Sequence, residues 1–164
     1  MELETWRAPP GDQIPNHPSF PVLLYRGVEA AAAGAEACRA LFAEHGWGGS
    51  WVSSVLDFHH FHSTSHEVLG VVAGRATLEL GGPQGRAFEV STGDVAVLPA
   101  GTGHRRASSD DEFAVVGAYP AGQEDYDLLT GEDPAEVAAA RERIEALGAP
   151  PRDPVGGDGL ASWR

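Results

Sequence analysis

Between Trp51 and Tyr119 the chain alternates apolar and polar residues in short runs separated by glycine clusters, which is the period of half-buried β-strands. Trp51 to His62 puts Val52, Ser54, Leu56, Phe58, His60 and His62 on one face, with His59 and Phe61 on the other. In Glu67 to Ala73 a carboxylate heads an apolar row of Leu69, Val71 and Ala73. Gly74 turns the chain into Ala76 to Leu80, Gly81 to Gly85 turn it into Arg86 to Val90, and Ser91 to Asp94 lead into the apolar run Val95 to Leu98. The tight loop Pro99 to Gly103 then delivers His104 at the start of another strand, and Phe113 to Tyr119 closes the series. Short strands with turns at this spacing predict a mainly β, antiparallel sandwich or barrel.

The flanks read differently. Pro9, Pro10, Pro15, Pro18 and Pro21 exclude a continuous helix or a central strand, so the first residues are expected to lie as an extended arm over the barrel, with a short strand at Val22 to Tyr25. Ala30 to His45 carries Cys38, Leu41 and Phe42 at helical spacing and stops at Gly46, which predicts an amphipathic helix with Cys38 as a small buried hydrophobe. Asp133, Pro134 and Glu136 form a helix start ahead of Val137, Ala140, Ile144 and Leu147. The expected organisation is an arm over 1–28, a helix over 29–46, the barrel over 47–122, and a C-terminal helix and tail over 123–164, with the tail from Ala149 packed as a loop or partly free.

A length of 164 residues suits one domain with a sizeable core. Eleven arginines, no lysine and twenty-four acidic residues give a formal charge of −13, which disfavours nucleic acid and anionic membrane surfaces as partners. A single cysteine excludes an intramolecular disulfide, and the lack of a cationic start with an apolar run or of a long apolar span predicts a cytoplasmic protein.

Four of the seven histidines fall between His59 and His66. Two imidazoles side by side on an otherwise apolar barrel face are costly without a partner, and folding back the strands brings His60, His62, Glu67 and His104 towards one point. Imidazole and carboxylate without thiolate suit one divalent transition metal: Fe, Mn, Ni, Co or Zn. Three nitrogens and one oxygen leave coordination positions open, as a catalytic or ligand-binding ion requires. His17 and His45 read as ordinary core or surface residues, and His66, opposite Glu67 by alternation, as an outer or surface one. Arg106 shares the parity of His104 and is a candidate clamp for a carboxylate, while Tyr119 and Phe58 are candidate pocket-lining residues.

The spacings His60-x-His62-x4-Glu67-x6-Gly74 and Gly93-x5-Pro99-x-Gly101-x2-His104 resemble the two motifs of the cupins, with Ser108 where the second motif usually ends in Asn. Ile14-Pro15-Asn16, Gly46-Trp47, Trp51, His66 to Gly70, Gly117 to Gly122 and Asp153 to Gly156 extend the likeness, over nearly the whole chain, to the small bacterial YjlB-like cupins. The resemblance implies a single cupin barrel (double-stranded β-helix, jelly-roll-like) with flanking helices, a metal held by the two motifs, and a homodimer paired through sheet edges. Two functions are compatible with it. One is a mononuclear metalloenzyme of the oxygenase, decarboxylase or isomerase type acting on a small polar organic molecule, with Fe or Mn favoured. The alternative is a non-catalytic small-molecule-binding or metal-stabilised module.

Overall fold

The run Val95 to Leu98 is buried at every position, and so is Val22 to Tyr25, which places both strands in a sheet covered on its two faces. The computed structural model describes residues 1–164 and shows how this is done. Nine strands, β1 (Glu2–Trp6), β2 (Val22–Arg26), β3 (Trp47–Ser53), β4 (Glu67–Ala73), β5 (Arg75–Leu80), β6 (Arg86–Ser91), β7 (Val95–Leu98), β8 (His104–Ser109) and β9 (Ala114–Pro120), form two antiparallel sheets. The larger has the order β1-β2-β7-β4-β9-β3 and the smaller β6-β5-β8.

Two cores lie on either side of the larger sheet. Leu24, Leu69, Val71 and Leu98 face inward and meet Leu78, Leu80, Phe88 and Val90 of the smaller sheet, filling the barrel. The alternate residues Leu23, Tyr25, Val68 and Val97 face outward and pack under Cys38, Phe42 and Trp163. The smaller sheet has solvent on its outer face, so β5 and β6 keep the alternation that β2 and β7 lack. No helix is long and apolar enough to cross a membrane.

Several expectations are corrected. Val22–Arg26 is an inner strand paired on both sides, because the prolines are confined to the connection before it and leave its N–H groups free. Ahead of them Glu2–Trp6 adds an edge strand, whose Trp6 ring meets Phe88 edge-on at 5.3 Å. The helix expected over Ala30 to His45 is two, α1 (Glu29–Ala33) and α2 (Ala35–Glu44), broken at Gly34, whose φ of 122° lies outside the helical region. His45 caps α2, its ring nitrogen donating to the Leu41 carbonyl at 2.9 Å.

Trp51 to His62 is not one strand. An extra residue between Gly48 and Trp51 shifts the register of β3 on β9, so Trp51 turns inward and Val52 is exposed. Gly117 on β9 makes room for it, since a β-carbon there would lie 2.2 Å from the Trp51 ring. After Ser53 the chain leaves the larger sheet and runs beside β8, where Leu56 accepts from the Arg106 N–H at 2.9 Å and His60 bridges to His104. This crossing closes the barrel at the end that holds the motif histidines.

Helix α3 (Pro134–Ala146) starts as expected, with Asp133 accepting from the Ala135 N–H at 3.0 Å. The tail is anchored rather than free: Trp163 is buried, stacks on Phe20 at 5.1 Å and donates to the Pro21 carbonyl at 2.8 Å.

Candidate metal centre

Glu67 opens β4 and points into the barrel with Leu69 and Val71, while His104 opens β8 opposite Leu80. The bridge between His60 and His104 fixes the third group, and His62 follows beneath the loop that carries Asp127. Asn16 secures the loop that delivers His104: its side chain accepts from the Gly103 N–H at 3.0 Å and donates to the Gly81 and Pro9 carbonyls. The structure thus brings His60, His62 and His104 together, all buried, with one ligand atom from each within 4.8 Å of the others. The Glu67 oxygen Oε1 lies 3.1 Å from His104 Nε2 and 3.6 Å from His62 Nε2.

The hydrogen bonds decide which atoms face the centre. His60 Nδ1 donates to the Phe58 carbonyl at 2.9 Å, His104 Nδ1 to the Thr102 carbonyl at 3.0 Å, and His62 Nδ1 to the Asp127 carbonyl. A carbonyl can only accept, so each Nδ1 carries a proton and each neutral ring keeps a lone pair on Nε2. Glu67 Oε2 accepts from the Tyr119 hydroxyl at 2.8 Å, which in turn accepts from the Trp51 indole N–H at 2.8 Å. Its other oxygen, Oε1, is buried with no hydrogen-bond partner. Three imidazole lone pairs and an unpartnered carboxylate oxygen therefore share one small space.

Such a set needs positive charge among its members, either a proton or a metal cation. Burial pushes the His60 imidazole down to about 3, with His104 adding to the shift, so His60 stays neutral and ready to ligate. Burial would lower His62, but the attraction of Glu67 outweighs it and raises the group. In the same way burial opposes ionisation of Glu67, yet the facing His62 and His104 hold the carboxyl well below its ordinary range. Burial and the Glu67 charge raise the Tyr119 phenol, which stays protonated as a donor. The donor set is nitrogen and oxygen without sulfur, and it fits a divalent transition ion.

Of the pocket candidates, Tyr119 is buried against Glu67, and Phe58 is 44% exposed with its ring 5.5 Å from that of His60. Arg106 is half-buried and binds Ser54 Oγ at 2.8 Å. His66 takes the far side of β4, as alternation predicts, but is buried rather than at the surface. Its Nδ1 accepts from the Ala100 N–H at 2.9 Å and its Nε2 donates to the Gly148 carbonyl at 3.0 Å, so neither nitrogen is available to a metal.

Sequence reasoning gave no role at the site to Trp51, Tyr126 or Asp127. Tyr126 stacks on Tyr119 at 4.2 Å and meets His62 edge-on at 4.8 Å. The Asp127 carboxylate accepts from the backbone and hydroxyls of Ser63 and Thr64, fixing the carbonyl that orients His62. Both lie in a loop without periodicity, where no local signal marks them. Trp51 had such a signal, two glycines before it that permit the register shift.

His17 lies under the same tail as His66, its Nδ1 accepting from the N–H groups of Ser19 and Phe20 at 3.1 and 2.8 Å. Burial, with His66 and Arg7 adding, pushes it from 6.5 down to about 4. The unfolded chain therefore binds the extra proton between these values, so the stability owed to neutral His17 is complete above pH 6.5 and lost as pH falls to about 4. The variant His17→Asn, whose side-chain oxygen can accept the same two bonds, is expected to flatten this part of the pH–stability curve by on the order of 1 to 3 kcal/mol. An unchanged acid limb in urea unfolding would contradict that assignment.

A cupin domain matches residues 52–117, and the chain belongs to the cupin superfamily. Within it, the chain is 40% identical over 156 residues to the uncharacterized protein YjlB of Bacillus subtilis (strain 168), a match covering 95% of this chain and 92% of that protein. Among solved structures it is similar to oxalate decarboxylase from Bacillus subtilis, with 16% identity, a TM-score of 0.42, and coverage of 84% of this chain and 37% of that one. It is also similar to acireductone dioxygenase from Bacillus anthracis with cadmium ion in its active center, with 18% identity, a TM-score of 0.40, and coverage of 54% and 60%. The chain spans less than two thirds of the length of either.

Proposed function

We propose that this cupin is a mononuclear metalloenzyme acting on a small polar organic molecule, with one divalent ion, Fe or Mn in first place, held by His60, His62, Glu67 and His104. The observation that carries the reading is the convergence of three inward-facing Nε2 lone pairs on a buried Glu67 oxygen with no donor of its own. A bound ion of this kind supplies Lewis-acid polarisation and a template for an oxygenase, decarboxylase or isomerase reaction.

The chain's own residues supply the rest. Carbonyls of Phe58, Thr102 and Asp127 fix the tautomer and orientation of the three rings. Tyr119, itself held by Trp51, holds one Glu67 oxygen and so aims the other. Phe58 and Tyr126, both partly exposed beside the histidines, offer apolar walls to an organic molecule. A protonated phenol, Tyr119, hydrogen-bonded to Glu67 and 6.3 Å from the His62 ring favours an enzyme over a purely apolar binding module.

Protein purified without chelator or metal-affinity resin is expected to contain one transition-metal ion per chain by elemental analysis. Protein that retains none, even after incubation with Fe(II), Mn(II), Co(II), Ni(II) and Zn(II) in turn, would overturn the reading.

A further inference from the structure

The geometry points to Arg106 as the anchor for a carboxylate of the ligand, so that the molecule bound at the metal centre is a small organic acid held at two points. This deepens the metal-centre reading and rests on it.

On β8, His104 faces Leu80 and Arg106 faces Leu78, and both leucines lie in the barrel interior. Arg106 therefore shares the inner face with His104. The irregularity in this ladder falls after Arg106, where Thr77 pairs with Ser108, so it does not turn the side chain outward. Arg105 has the opposite aspect, paired with Glu79 at 3.1 Å.

The partners of Arg106 are incomplete. Its backbone N–H donates to the Leu56 carbonyl and one guanidinium nitrogen to Ser54 Oγ at 2.8 Å, both neutral acceptors. None of the ion pairs in the structure includes it. In a chain with twenty-four acidic residues, a half-buried guanidinium on the inner wall is left without a carboxylate. Partial burial makes an unpaired charge costly, and four of the five N–H donors of the fork are not committed to a side-chain partner. A ligand carboxylate satisfies both conditions with a bidentate fit.

Residues i and i+2 of a strand are separated by roughly 6.5 to 7 Å along the backbone, so His104 and Arg106 start from neighbouring positions on one face and both can reach one small molecule. A three- or four-carbon acid is such a molecule, with one oxygen group at the cation and a carboxylate in the fork. Phe58 and Leu56, exposed beside the two anchors, would cover its carbon skeleton. The surrounding charge of −13 gives an anion no general attraction to the protein, so recognition must come from these local positive groups.

Mn(II)-loaded protein titrated calorimetrically with malonate, and with uncharged malonamide, tests this directly. Metal content is measured after each titration. Wild type is expected to bind malonate and not malonamide, Arg106→Met to bind malonate at least 10-fold more weakly with its Mn(II) intact, and Arg106→Lys to fall between. Equal malonate affinity in wild type and Arg106→Met, both holding Mn(II), overturns the inference alone, as does a wild type that binds neither probe or prefers malonamide. Failure of wild type to take up Mn(II), or any of Fe(II), Co(II), Ni(II) and Zn(II) offered in its place, overturns the metal-centre reading, and this inference with it.

Discussion

Replacing His104 with Ala is expected to lower metal affinity by more than the roughly 10- to 100-fold typical of losing an outer hydrogen-bond partner, whereas His66→Ala leaves the affinity of the folded protein within that range or unchanged. The two histidines are equally buried, so burial does not separate them. Connectivity does: His104 directs Nε2 at Glu67 and His62, while both nitrogens of His66 are spent on Ala100 and Gly148 on the far side of β4. His66→Ala is instead expected to reduce stability through the two lost bonds. Competition with a chromophoric chelator gives both affinities. Equal losses would show that the rings do not divide between the two faces of β4 as described.

Trp163→Ala is expected to destabilise the fold by about 3 to 5 kcal/mol, the usual cost of deleting a buried tryptophan, and to lower Tm by on the order of 10 °C for a chain of this size. The ring fills the outer core beside Val68 and Val97, stacks on Phe20, lies 4.9 Å from the His66 ring, and donates to Pro21 at the entry to β2. It ties the end of the chain to the proline-rich connection and to the outer face of β4. A drop of only a degree or two in a calorimetric scan would mean that the tail packs on the sheet without supporting it.

The parts legible in the sequence were those set by local rules. Glu67–Ala73 and Val95–Leu98 have the predicted bounds, because Gly74 ends the one apolar run, and Gly93-Asp94 and Pro99 delimit the other. Helix α3 followed from Asp133 and Pro134 at its start. The spacing of His60, His62 and His104 predicted their meeting, although His60 and His62 lie on a loop crossing between sheets and not on a strand. What local rules miss is contact between distant segments. One extra residue in β3 put Trp51 inward and Val52 outward, reversing the phase that alternation gave. Proline content argued against an inner strand near the start, yet the prolines sit before β2 and not within it. Asp127 and Tyr126 act on His62 across 65 and 64 residues of sequence, where no periodicity reaches.

The central claim is that four side chains share one ion, and the most direct test is anomalous diffraction from crystals grown with Mn(II). The account predicts a single strong anomalous peak per chain, at roughly 2.0 to 2.3 Å from the ring nitrogens of His60, His62 and His104 and from Glu67 Oε1. A peak elsewhere, or a peak at the histidines with the Glu67 carboxylate turned away, would contradict it.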